Sequence, residues 1–69
     1  MKRRAVLKML QQEAKRQGLL FCLDELTNHT GVTVGGVRST LARHSEVPDS
    51  TARAFFDQFS SELGKGWWR

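Results

Sequence analysis

Apolar side chains recur at helical spacing near both ends of this chain, while the middle carries a pattern broken by glycines. Near the start, Val6, Met9/Leu10 and Ala14 form one stripe, widened by Leu7, with lysines and arginines opposite. That spacing predicts an amphipathic helix over 3–17, stopped by the left-handed freedom of Gly18. Near the end, Ala52, Phe55, Phe56, Phe59 and Leu63 fall at i, i+3, i+4, i+7 and i+11. Pro48 and the oxygens of Asp49, Ser50 and Thr51 suit the first turn of this second helix, and Gly64 closes it.

The middle reads as two further helices. Leu19–Leu23 is a brief extended piece or an apolar linker, with Leu20, Phe21 and Leu23 expected inside and Cys22 expected as a small buried hydrophobe. Asp24 and Glu25 suit the positive end of a helix dipole, Gly31 the turn after it, and Thr33 the N-cap of the next helix. That next helix is expected over about 34–44, with Val37 and Leu41 inward and Arg38, Ser39, Thr40 and Arg43 outward. Gly35–Gly36 leaves two explanations open: a frayed first turn, or bare backbone that lets the helix approach a phosphate. The fold class expected is therefore all-α. A single helix-turn-helix domain of about four helices fills 1–69: a basic helix (1–18), the helix-turn-helix (23–44), a support helix (48–63) and an aromatic tail (64–69).

Charge sharpens this picture. The net charge is +4, and residues 1–17 place six basic side chains against Glu13 alone, a local +5. The remainder holds five basic and six acidic side chains, so the positive field belongs to the first helix. A basic segment attracts nucleic acid or another polyanion. Little else offers chemistry. One cysteine excludes an internal disulfide framework, and two histidines with no clustered ligands give no metal, cofactor or catalytic constellation. Asp24 and Glu25 are adjacent and would diverge by about 100° on a helix. Gly31…Gly35–Gly36 lacks the Gly-Lys-Ser/Thr ending of a phosphate loop. The start is too polar for a signal peptide and no apolar run approaches the roughly 18 residues of a membrane span, so a soluble cytoplasmic protein is expected.

The text HTGVTVGGVRSTLARHSEVPDSTARAFFDQFSSEL resembles the DNA-binding headpiece of lactose-repressor-type regulators. Gly31, Val32, Thr33, Val37, Leu41, Val47 and Thr51 fall on positions of that family's pattern. The resemblance implies a helix-turn-helix that reads duplex DNA. Its base-reading positions correspond here to Val34, Gly35 and Ser39, none of which makes a bidentate base contact, and Arg38 stands one place early. A weaker similarity to winged-helix regulators lacks a hairpin for the wing.

The expected function is a compact repressor or accessory DNA-binding factor. Thr33, Val34, Gly35, Arg38, Ser39 and Arg43 form its contact face, and Lys2, Arg3 and Arg4 a basic arm. Adjacent phenylalanines cannot both follow one core line, so Phe56 is expected at a partner contact. Trp67 and Trp68 fold back on the body, meet a partner or stack on a base. Expected partners are double-stranded DNA, a second copy of the chain, or another protein at the tail. The alternative reading is an adaptor or inhibitor that holds another protein with the same scaffold.

Overall fold

The computed structural model describes all of residues 1–69 and is mixed α/β. Helix α1 (Arg3–Arg16) is followed by strands β1 (Phe21–Glu25), β2 (His29–Val34) and β3 (Val37–Ala42), then helices α2 (Asp49–Asp57) and α3 (Ser60–Leu63). The strands form an antiparallel meander in the order β1-β2-β3. No helix is long and apolar enough to cross a membrane.

The all-α expectation fails over 21–42, and with it the helix-turn-helix. Between Thr30 and Thr40 stand six β-branched residues, Thr30, Val32, Thr33, Val34, Val37 and Thr40. Such side chains lose rotamer freedom in a helix and pack well on a pleated surface. Thr30, Val32 and Val34 alternate in a period of two, and all three are buried. Gly35–Gly36 is neither a frayed helical turn nor a phosphate approach. It is the two-residue loop of the β2–β3 hairpin, with Val34 opposite Val37. Gly35 has φ +57°, and Gly36 does not take positive φ, the glycine-first pattern of a type II′ turn. Gly31, expected as a left-handed helix cap, lies inside β2 opposite Asp24 and Thr40.

One face of the sheet packs on the helices. The core joins Val6, Leu10 and Ala14 of α1 to Val32, Val34 and Leu41 of the sheet, and to Ala52, Phe55, Phe56, Phe59 and Leu63 beyond it. The other face carries Cys22, Asp24, His29, Arg38 and Thr40, all exposed. Cys22 therefore points to solvent, contrary to its expected burial, because it alternates with Phe21 on an edge strand. Leu20 and Leu23, also expected inside, are 63% and 48% exposed for want of a neighbour beyond β1.

The helical ends lie close to where periodicity puts them, with one division. The expected 48–63 helix breaks at Gln58–Phe59 into α2 and α3, yet its apolar face stays buried throughout. The chain start is fastened across the molecule. Val47 N donates to Met1 O at 2.7 Å, Arg3 N donates to Ser45 O at 2.9 Å, and the terminal ammonium donates to Val47 O at 2.7 Å. These bonds hold α1 beside the β3–α2 connection.

Candidate nucleic-acid interface

Helix α1 turns its charge outward because Val6, Leu10 and Ala14 hold the opposite side in the core. At 100° per residue, Arg4, Lys8 and Lys15 fall within about 40° of arc, and the 1.5 Å rise spreads them over roughly 16 Å. All three are exposed, and none has a carboxylate within ion-pair distance. Arg16, by contrast, is bound to Glu13 by its Nε at 3.0 Å and by its Nη2. These bonds and one from Gln17 Nε2 hold the Glu13 carboxyl down at about 2.

The cations expected to form the contact face are occupied elsewhere. Arg38 lies on the exposed face of β3 and reaches across Gly31 to Asp24, 3.6 Å away. Arg43 donates to Leu26 O and stands 3.7 Å from Glu25. Glu25 also accepts from Thr30 Oγ1 at 2.6 Å, and that hydroxyl first, then Arg43 and Arg3, lowers its pKa. Lys2 is paired with Glu46, whose pKa it lowers. Arg3 is turned into the molecule, donating from Nη2 to Thr30 Oγ1. Of the expected arm, Arg4 alone stays unpaired and outward.

The remaining expected residues do not share a surface. Thr33 is half-buried between Cys22 and Arg38 on the open face of the sheet. Val34 is fully buried in the core, and Gly35 forms the turn. Ser39 faces the helices, where its Oγ donates to Gln58 Oε1. Arg38 and Ser39, neighbours on a helical surface, thus lie on opposite faces of a strand.

Phe56 is 2% exposed, because the tail folds over it. Trp67 meets Phe56 edge-on with centroids 5.0 Å apart and donates from Nε1 to Phe56 O at 3.0 Å. Trp68 lies at 6.2 Å from the same ring and donates to Asp57 Oδ1 at 2.9 Å. The problem of two adjacent phenylalanines is solved within the chain: Phe55 meets Phe59 at 5.2 Å, and the tryptophans cover Phe56.

Lys8 and Lys15 are expected from sequence only as part of the basic field of the first helix, not as a row with Arg4. The signal is their helical spacing with Arg4, which groups the three on one arc of α1. Small-molecule chemistry has less to work with. The cleft between β3 and α2, lined by Leu41, His44, Val47, Thr51 and Phe55 among others, holds about 210 Å³, below the roughly 300 Å³ of ordinary ligand pockets. No three of the His, Cys, Asp and Glu side chains gather at one point. Comparison with known proteins returns no family model, no curated relative and no solved structure that matches the chain, so the functional reading stands on geometry and charge.

Proposed function

We propose that this is a small accessory DNA-binding protein that grips the phosphate backbone of a duplex through the outer face of α1. The observation that carries this reading is the row Arg4, Lys8 and Lys15, aligned, exposed and without internal anions. Its length of roughly 16 Å exceeds the ~12 Å width of the major groove, so its end cations reach phosphates on opposite strands. No element presents side chains for base-edge readout, and the contact fixes position without reading sequence.

The test is a binding titration of a blunt 20-base-pair duplex at several salt concentrations. Three phosphate contacts give a slope of about −2.7 in log K against log salt. Replacing Arg4, Lys8 and Lys15 together by Gln removes most of that slope, and a scrambled duplex binds equally well. An unchanged slope in the triple variant refutes the assignment.

A second reading, a protein-binding adaptor, has its own observation. Leu20, Leu23 and Leu26 are 63%, 48% and 41% exposed on and beside an edge strand, the kind of edge that accepts another strand. Leu23→Lys separates the two: it leaves duplex binding intact under the first reading and abolishes partner capture under the second.

A further inference from the structure

The two tryptophans pack beside the flank of α1 that carries Met9 and Gln12, next to the arc that carries Lys8. Met9 flanks the core stripe of α1 and lines a cleft together with Trp68 and the α2 residues Asp49, Arg53 and Phe56. The Trp68 indole borders one cleft of about 230 Å³ lined by Met9, Gln12, Glu13, Arg16 and Trp67, where Arg16 already neutralises Glu13. It also borders the cleft shared with α2, a second one of about 230 Å³ lined by Met1, Met9, Asp49, Arg53 and Phe56. Both indole N–H groups are already committed, to Phe56 O and Asp57 Oδ1, which fixes the ring orientation. Trp68 remains only half-buried, and the Arg69 guanidinium stands 5.4 Å from its ring.

We propose that the cleft at Trp68 takes one unpaired nucleobase, stacked on the indole, from the same polymer whose phosphates α1 holds. The proposal rests on the DNA-binding reading above and names the form of DNA preferred: a duplex with an adjoining single-stranded base. Four features carry it. A fixed, half-exposed indole beside apolar Met9 offers a stacking surface that accepts any base once the exposed Arg69 side chain over it swings aside, since every base has a π-face. Both clefts border the indole and open to solvent, so a base reaches the ring without displacing the core. Gln12 and the guanidinium of Arg53 supply hydrogen-bonding groups at the rim, and Arg53 makes no ion pair. Gln12 lies about 40° around α1 from Lys8, so base and phosphate contacts are adjacent.

Both tryptophans of the chain are in this tail, so intrinsic emission reports on the site directly. Three DNA probes are titrated at one salt concentration: a blunt duplex, the same duplex with a short thymidine overhang, and one with an abasic overhang of equal length. The thymidine overhang is expected to quench the emission and bind at least about five-fold more tightly than the abasic one, a gain within the range of one base–aromatic stack. Trp68→Leu abolishes that difference and keeps blunt-duplex binding, while Trp68→Phe retains part of it. Should Trp68→Leu fail to fold, the thymidine-to-abasic ratio with the unaltered protein decides. Equal affinity and no quenching with both overhangs, alongside blunt-duplex binding, overturns the stacking site and spares the α1 reading. No binding to any probe overturns both.

Discussion

Two glycines four residues apart report which fold the chain adopts. Gly35 needs its positive φ of +57°, so an added Cβ is strained there, and it would also crowd the Glu62 carboxylate that accepts from Gly36 N. Gly35→Ala is expected to cost about 1 kcal/mol in urea unfolding. At Gly31 the backbone is ordinary extended strand. An added Cβ meets the tip of Arg38 at 2.5 Å, a flexible guanidinium that swings aside with loss of an exposed ion pair. Such pairs contribute about 0–1 kcal/mol, and the alanine recovers a similar amount of backbone entropy, so Gly31→Ala is expected to be near neutral. A helix-turn-helix demands the opposite ranking, with Gly31 costly as a cap and Gly35→Ala favourable inside a helix. The opposite ranking in the two melts would restore that fold. The residues were readable for their conformational needs, but the sequence alone did not decide which glycine had them.

At the scale of elements, the ends of the chain were legible and the middle was not, for one physical reason. Helix α1 and the α2–α3 segment bury five or fewer apolar positions each in a pattern that only a 3.6-residue period explains. Over 30–41 two periods coexist: Val34, Val37 and Leu41 fit a helix, while Thr30, Val32 and Val34 fit a strand. The β-branched content and the Val-Gly-Gly-Val hairpin signal favour the strand, and the lactose-repressor pattern matched largely on these same scaffold residues. The candidate site was legible only as a charge excess in the first helix. Its sharper form required knowing that Arg38, Arg43 and Lys2 are paired, which depends on strand register for the two arginines and on the docking of the chain start beside Glu46 for Lys2. That register has a direct test. Gly35 N donates to Leu20 O and Leu26 N to His29 O, which directs the odd-numbered residues of β2 toward β1 and the even-numbered ones toward β3. Along β3, Val37, Ser39 and Leu41 then face β2, while Arg38, Thr40 and Ala42 hold the free edge. Amide exchange is expected to alternate residue by residue, slow at 37, 39 and 41 and fast at 38, 40 and 42. Continuous protection over 34–44 contradicts the sheet.

For the whole molecule, the carboxylates sort the positive charge into a fixed part and a free part. Glu13 holds Arg16, Glu25 holds Arg43 and accepts from Thr30, and Glu46 holds Lys2 beside the terminal ammonium. With Arg38 paired to Asp24 and Arg3 bonded to Thr30, the cations left over are those of the α1 row, Arg53 and the tail. Each of these three carboxyls has a folded-state pKa below its usual 4.5, most strongly Glu13 at about 2. A depressed acid pKa contributes stability that is fully present above the unfolded value and lost as pH falls through the folded one. The expected melting temperature is therefore level from pH 8 to about 5 and declines from about 4.5 towards 2. Glu46 and Lys2 also tether the chain start to the β3–α2 connection, so acid should loosen α1 before the sheet. Glu13→Gln, which removes the group with the lowest pKa, is expected to flatten the acid end of the profile and leave the neutral plateau nearly unchanged, since these exposed pairs contribute little individually. A melting temperature constant from pH 5 to 2.5 would show that the three pairs do not hold in solution. The separation of paired from unpaired cations, on which the α1 interface depends, would then fail with them.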